Sequence, residues 1–226
     1  YKYRPMIKQI ILVVLAVLGA SLIATAQTAP ENIFSYSGDS IVTNSNYIDP
    51  FYWIYEHDPT YAVADYNLTS QNGQYNYQIK LSNYIGTEGD GGYYRIIDIL
   101  YNNQNILSLK QSDGWDKVIR GWEPYRTTEY YIAYPLSPEA TAVVFVGYPY
   151  NSEPELMTIV ILYKGQAKLV LNKNYALSQI VKTDSEFALM IKKTVQEWMT
   201  PTIPYNYPPT FKIWKEGSVL KMCQLV

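Results

Sequence analysis

The sequence predicts a mainly β protein: an N-terminal transmembrane helix, then an antiparallel β-sandwich ectodomain, jelly-roll-like, with one amphipathic helix near residues 184–199. Three observations lead to this fold class. An uncharged apolar run lies near the N-terminus. Strand-like segments recur every roughly 8–15 residues with Gly, Asn and Pro between them. One late segment repeats its apolar residues at helical spacing.

The apolar run covers Ile10–Ala26 and reads IILVVLAVLGASLIATA, without a charge. Three basic residues and no acidic residue precede it: Lys2, Arg4 and Lys8. A basic flank before an apolar stretch is typical of a secretory signal peptide and also of a membrane anchor.

Two details bear on this choice. Ala24-Thr25-Ala26 before Gln27 form an A-x-A cleavage site, and taken alone the pattern favours a signal peptide. Extended back to Met6, the run also reaches the lower length limit of a spanning helix. Because the segment is present in the chain studied, we expect a retained anchor with its basic flank inside. Packing of the helix in a filament core, as in pilins, is a third alternative.

These boundaries divide the chain into three parts. Residues 1–26 are the predicted membrane anchor. Residues 27–50 are polar, contain turn formers throughout and are predicted to form a stalk. Residues 51–226 are the predicted β-sandwich ectodomain, and their length suits one domain.

The amino-acid composition excludes some classes of function. The chain has 24 tyrosines, while charged residues make up 17%, below the roughly 25% of an average soluble domain. Three of the 18 basic residues precede the apolar run, so the rest of the chain carries 15 basic and 20 acidic residues, a formal charge of −5. This argues against nucleic acid as a partner, because nucleic-acid binding needs a basic footprint. Cys223 is the only cysteine, so no intramolecular disulfide can form.

This cysteine-poor, charge-poor and Tyr/Asn/Ile-rich composition resembles that of the envelope proteins of hot-acid archaea and of the viruses that infect them. The resemblance is one of composition across the ectodomain and involves no family motif. It implies an exterior structural protein.

Several turns and strands can be placed individually. Tyr61–Asn67 and Tyr75–Leu81 flank Asn72-Gly73, the preferred pair for a type I′ hairpin turn. Lys164-Gly165 and Glu216-Gly217 are predicted to be hairpin turns as well. The runs AVVFVGY and MTIVILY are apolar on both faces and should be central strands. Further strand candidates are Tyr93–Leu100, Ile106–Lys110, Thr128–Tyr134, Ala167–Leu171, Phe211–Trp214 and Val219–Val226.

One segment has helical rather than strand periodicity. In Asp184–Met199 the apolar residues recur at three- and four-residue steps, which predicts an amphipathic helix. Thr183 or Asp184 can cap its N-terminus, and Pro201 ends it.

Residues with chemical potential are few. His57, the only histidine, lies between Glu56 and Asp58 and is interpreted as a polar loop residue, because consecutive residues on an extended segment point to opposite faces. With one His and one Cys, a conventional zinc, haem or copper site is not expected. The acidic, Gly-rich segment Thr87–Gly92 lacks the ligand spacing of an EF-hand and is interpreted as a turn. We therefore predict no catalytic, cofactor-binding or metal site.

Trp115 and Trp122 are candidate contacts for a glycan or a partner protein, because flat apolar rings suit sugar faces and interfaces. Asp116 and Glu123 beside them are a conceivable glycosidase pair, although aromatic residues of a core or an interface are the more frequent case. Asn67-Leu68-Thr69 is a sequon, which makes Asn67 a candidate glycosylation site.

We expect a non-enzymatic structural or interaction subunit of an extracytoplasmic assembly, such as a cell envelope, an appendage or a virion. Its expected partners are other protein subunits and, through Ile10–Ala26, membrane lipid. No cofactor and no small-molecule substrate are indicated. Two alternatives remain. One is an accessory subunit of a membrane enzyme complex, with Gly19-Ala20-Ser21 as a helix contact. The other is a glycan-binding or glycan-cleaving domain.

Overall fold

A computed structural model describes residues 46–48, 58–85, 93–118, 129–147, 156–193 and 209–225. Within these ranges the chain forms thirteen β-strands and no helix. In chain order the strands are β1 (Tyr47–Ile48), β2 (Thr60–Thr69), β3 (Asn76–Tyr84), β4 (Tyr94–Tyr101), β5 (Gln104–Trp115), β6 (Ile132–Ser137), β7 (Ala140–Gly147), β8 (Leu156–Tyr163), β9 (Gln166–Lys173), β10 (Tyr175–Lys182), β11 (Phe187–Lys193), β12 (Phe211–Glu216) and β13 (Val219–Gln224). The mainly β, antiparallel character predicted from the sequence is confirmed.

The strands form three sheets. The first sheet has the order β1-β5-β4-β3-β2, the middle sheet β6-β7-β8-β9 and the third sheet β10-β11-β12-β13. Except for the two-residue β1, which runs parallel to β5, neighbouring strands are antiparallel and follow each other in the chain. The jelly-roll-like connectivity is therefore wrong for the described residues, because from β2 onward the strands of each sheet lie beside their neighbours in the chain, as in a meander.

The middle sheet lies between the other two. Every residue of β7 and β8 is buried, which confirms that these two apolar runs are central strands. One face of β7, with Val143 and Phe145, packs in a cluster with the first sheet. The other face, with Ala142 and Val144, packs in a second cluster with the third sheet. Because a sheet with two apolar faces must be covered twice, the result is three layers rather than the two of a simple sandwich.

Several turns have backbone angles that match their residues. Lys164 and Gly165 both have positive φ (46° and 76°), as a type I′ turn requires, and join β8 to β9. Asn102 and Asn103 (50° and 62°) form the equivalent turn between β4 and β5. Gly217 opens the turn between β12 and β13 with φ 61°. The two hairpins predicted at residues 164–165 and 216–217 are thus confirmed.

The hairpin predicted around Asn72-Gly73 is also confirmed, but its turn type is not. The loop between β2 and β3 is longer than two residues, and only Gly73 has positive φ. Ser70 accounts for the difference, because its backbone carbonyl accepts from Gly73 N–H at 2.9 Å and its hydroxyl accepts from Tyr75 N–H at 3.0 Å. These bonds close a wider loop.

The first and middle sheets meet at a glycine corner. The N–H of Asp116, just beyond β5, donates to the carbonyl of Val146 on β7 at 2.9 Å. A Cβ on the adjacent Gly147 would lie 2.5 Å from the carbonyl oxygen of Gly114, whose φ is 72°. Only glycine therefore permits this approach of β5 to β7.

The helix predicted over residues 184–199 is wrong for its described part, residues 184–193. Phe187–Lys193 form strand β11, paired with β10 and β12. Thr183 does accept a hydrogen bond from Glu186 N–H at 2.9 Å, as a helix cap would. However, Thr183 N–H also donates to the Glu186 carbonyl at 2.9 Å, which closes a hairpin. Burial of alternate residues against the core outweighs the helical spacing.

Among the described residues no helix has the length and apolarity to cross a membrane. The predicted anchor Ile10–Ala26 and all of the predicted stalk except residues 46–48 lie outside those residues.

Candidate functional site

The most distinctive side-chain arrangement is an aromatic cluster between the first and middle sheets. Tyr94 stacks on Trp115 with ring centroids 5.9 Å apart and an interplanar angle of 24°. Tyr130, just before β6, lies 5.8 Å from Tyr94 and 6.2 Å from Tyr66 on β2. Tyr131 meets Tyr66 edge-on at 5.2 Å. Such pairs contribute roughly 0.5–1.5 kcal/mol each beyond their buried area, so this cluster joins strands that are distant in the chain.

Trp115 is at the buried end of this cluster. Its exposed fraction is 0%, and its indole N–H donates to the Thr158 hydroxyl at 2.8 Å. Thr158 in turn donates to the side-chain oxygen of Asn172 at 2.6 Å. The expected surface contact through Trp115 is corrected to a core role, because a fully enclosed ring offers no face to a sugar or a partner. Trp122 lies outside the described residues.

The tyrosines of the cluster are held in the neutral form. Burial, with a smaller contribution from the charge of Asp116, raises the pKa of Tyr94 well above its ordinary value. Burial likewise raises the pKa of Tyr66 and of Tyr131. The Tyr94 hydroxyl donates to the Tyr130 carbonyl at 2.8 Å. These hydroxyls are suited to structural hydrogen bonds and not to proton abstraction or nucleophilic attack, which need a lowered pKa.

A second link joins the same two sheets at their hairpin ends. The N–H of Gly165 donates to the Tyr77 hydroxyl at 2.8 Å, and a Cβ on Gly165 would lie 2.6 Å from the ring of Tyr101. Burial raises the pKa of Tyr77 to about 12, despite the opposing hydrogen bond from Gly165. The turn between β8 and β9 is thereby fixed beneath the first sheet.

Most of the carboxylates described in the structure are already engaged. Asp65 accepts from Gln78 at 2.9 Å. Asp98 accepts from the Ser108 hydroxyl at 2.6 Å and from Asn105 at 2.9 Å. These bonds run across neighbouring strands of the first sheet, where they stabilise its outer surface.

Asp116 is one member of the conceivable glycosidase pair with Glu123, and its carboxylate accepts a hydrogen bond from the N–H of Lys117 at 2.6 Å. Glu123 lies outside the described residues, as do His57 and the segment Thr87–Gly92. Within the described ranges no group of three or more His, Cys, Asp and Glu side chains could hold a metal ion.

Asn67 is exposed on β2, a strand at the edge of the first sheet. Thr69, the third residue of its sequon, is exposed as well and its hydroxyl donates to Asn76 at 3.3 Å. Asn67 therefore lies within a strand, and its side chain is accessible to solvent.

No family model matches the chain, and no curated protein or solved structure matches it.

A further candidate surface is the outer face of the third sheet. The sequence analysis did not find it, because part of this sheet was predicted to be a helix. Residues that alternate with the core residues of β11, β12 and β13 point away from the middle sheet. We call the following half-buried residues on this side the lysine face: Met190, Lys192, Lys212, Trp214, Lys221 and Cys223.

Cross-strand register brings these residues together. Met190, Lys212 and Cys223 are directly opposite one another on the three strands, as are Ala188, Trp214 and Lys221. The Lys212 ammonium lies 6.0 Å from the centre of the Trp214 ring. Inward and outward residues alternate over residues 211–224, which indicates two of the strands of this surface. The third strand, β11, was predicted to be a helix.

Proposed function

We propose that the protein is a non-enzymatic structural or interaction subunit of an extracytoplasmic assembly, in a cell envelope, an appendage or a virion. An N-terminal helix, Ile10–Ala26, anchors it in the membrane and places the β-sandwich-like domain outside. Its partners are other protein subunits and membrane lipid, and it needs neither cofactor nor substrate.

The observation that carries the proposal is that the tyrosines act as cross-links between sheets. Tyr94 and Tyr77 have hydrogen-bonded hydroxyls and raised pKa values, and they connect the first sheet to Tyr130 and to Gly165. These bonds hold the first sheet against the middle sheet without a disulfide. Uncharged packing of this kind suits a structural subunit on the exterior.

Trp214 and Met190 on the lysine face are residue types enriched at protein interfaces, whereas its three lysines are of a type depleted there. The proposal therefore does not depend on the composition of this face. The glycan alternative has lost one of its two candidate contacts, because Trp115 is buried.

Crosslinking mass spectrometry on native membranes or particles tests the proposal. We expect peptides that retain Ile10–Ala26 and crosslinks from the ectodomain to other subunits. A mature N-terminus at Gln27 would remove the anchor. A monodisperse monomer without crosslinked neighbours would overturn the subunit role.

A further inference from the structure

The edge strands of the three sheets differ in how they discourage pairing with a strand of another molecule. Among the described residues these edge strands are β1, β2, β6, β9, β10 and β13. An unprotected edge presents unpaired N–H and C=O groups, and proteins protect their edges with lysine, proline, a bulge or a very short strand. β1 has only two residues. Four others contain a protecting residue type: Pro135 in β6, Lys168 and Lys173 in β9, Lys182 in β10 and Lys221 in β13.

Strand β2 is the exception. Its ten residues include neither lysine nor proline, and Asp65 is their one charged residue. A bulge between Ala62 and Ala64 interrupts the first part of the strand, and a bulge twists an edge away from a partner. Ala64–Thr69 is regular and, among the described strands, pairs with β3 alone. This half of β2 reaches the length of about six residues that suffices for pairing between chains, so it is an unprotected edge.

The only sequon of the chain, Asn67-Leu68-Thr69, lies in this unprotected half of β2. Leu68 packs against the core between the first and middle sheets, whereas Asn67 and Thr69 point the opposite way and are exposed. The side chains of Asp65 and Thr69, on either side of Asn67, are hydrogen-bonded to β3. The amide of Asn67 has no hydrogen-bond partner in the part of the chain that the structure describes. A group attached to it would therefore extend into solvent without breaking a contact there.

We propose that Asn67 carries an N-linked glycan and that this glycan protects the edge of β2 from pairing with a strand of another molecule. The inference rests on the proposed function, because N-glycans are added on the extracytoplasmic side of a membrane. An added strand would place its side chains directly beside those of β2. A glycan on the outward face of β2 occupies that space, so it does for this edge what lysine and proline do at the others.

The transfer needs a membrane-bound transferase and a sugar donor, an oligosaccharide linked to a polyprenyl phosphate or pyrophosphate. The side-chain nitrogen of Asn67 attacks the anomeric carbon of the first sugar. The bond from this carbon to the phosphate oxygen breaks, and its electron pair leaves with the lipid phosphate. A carbon–nitrogen bond forms, and the nitrogen releases one proton to a base of the transferase. Thr69 stays unmodified and supplies the hydroxyl that the sequon requires.

Mass spectrometry of the peptide that contains Asn67, taken from native membranes or particles, tests the site. We expect the mass of a glycan on this peptide and a fragment in which the first sugar remains on Asn67. In a host that makes N-glycans, Thr69→Ser should keep the modification, because the hydroxyl is kept, whereas Thr69→Ala and Asn67→Gln should lose it. An unmodified Asn67 in the native protein would overturn the proposal.

Sedimentation of the full chain in detergent solution tests the protection of the edge. Asn67→Gln should self-associate about ten-fold or more strongly than the glycosylated chain, because the backbone of β2 can then form several hydrogen bonds to an added strand. Hydrogen exchange at the amides of β2 should slow in the associated sample. Thr69→Ala also lacks the glycan but keeps Asn67, and it should behave in the same way.

The matched control is Asn67→Lys, which lacks the glycan but places on β2 a residue type that protects other edges. It should sediment as the glycosylated chain does. The added positive charge lowers the net negative charge and with it the general repulsion between copies, so a lack of association would be a property of the edge. Urea unfolding of every variant checks that the fold is kept.

Two further results would contradict the protection of the edge: an Asn67→Gln chain that associates no more strongly than the glycosylated chain, or an Asn67→Lys chain that associates as strongly as Asn67→Gln. In these cases, and with an unmodified Asn67, a chain that is anchored and crosslinked to other subunits still meets the proposed function. A chain that added protease cleaves only after the cells are permeabilised lies inside the cell, and this result removes the proposed function as well.

Discussion

The backbone N–H of Gly165 donates a 2.8 Å hydrogen bond to the hydroxyl oxygen of Tyr77, and this bond ties the tip of the β8–β9 hairpin to the first sheet. Tyr77 is 2% exposed, so water cannot readily take the place of its hydroxyl as the acceptor for the N–H of Gly165. The pairing holds the first sheet against the middle sheet in a chain that has one cysteine.

Tyr77→Phe should destabilise the protein by about 1–3 kcal/mol, because the N–H of Gly165 loses its acceptor while the packing of the ring is kept. Urea unfolding measures the change. Tyr75→Phe, on the neighbouring half-buried ring, is the matched control and should shift the midpoint little. Equal effects of the two substitutions would contradict a specific role for the Tyr77 hydroxyl.

Gly147→Ala should cost about 2–3 kcal/mol, because the new Cβ would lie 2.5 Å from the Gly114 carbonyl oxygen and force β5 away from β7. Gly73→Ala is the control. Gly73 has φ 75° and nothing within 4 Å of a built Cβ, so only backbone strain of about 1 kcal/mol is expected. If thermal unfolding shows Gly73→Ala to be less stable than Gly147→Ala, then β5 and β7 can separate at the glycine corner at little cost.

Stability should fall in alkali. Burial raises the pKa of Tyr94 above the ordinary value of 10, so the unfolded chain loses this proton at a lower pH than the folded chain does. The contribution of neutral Tyr94 to the free energy of unfolding is complete below pH 10. It is lost as the pH rises from 10 toward the pKa of Tyr94 in the folded state, and the free energy of unfolding then falls by at most ~1.4 kcal/mol per pH unit.

Urea titrations at pH 9 to 12 measure this loss, and Tyr94→Phe should flatten the slope. The variant should also be less stable at neutral pH, because the hydrogen bond to the Tyr130 carbonyl is removed. An unchanged slope in Tyr94→Phe would assign the alkaline loss to other groups.

The register of the third sheet can be tested with the natural cysteine. Lys212 and Cys223 are directly opposite on β12 and β13, so Lys212→Cys should form a disulfide under mild oxidation, since the Cα atoms of such pairs lie about 4.5–5.5 Å apart. Trp214→Cys is one row away and should not. Mass spectrometry under non-reducing conditions distinguishes the two, and a crosslink in the second variant alone would show a shifted register.

Local turn chemistry made several hairpins predictable from the sequence. Lys164-Gly165 and Glu216-Gly217 are turns because glycine adopts positive φ at little cost, whatever surrounds it. The strands β7 and β8 were predictable because uninterrupted apolar runs have no polar face to expose. Of the candidate site residues, Asn67 is exposed. For Trp115 the sequence left a surface contact and a core role open, since its burial depends on Tyr94 and Thr158 from other strands.

The sequence by itself thus determined the β class and the position of three hairpin turns, because these depend on residues that are close in the chain, and its single cysteine excluded an intramolecular disulfide. Only the tertiary structure decided that the strands form three layers, that residues 187–193 form a strand, and that Lys192, Lys212 and Trp214 share one surface. The physical reason is that seven residues are too few for the spacing of apolar residues to distinguish a helix from a strand. Pairing with β10 and β12 supplies the hydrogen bonds and the buried area that select one of them.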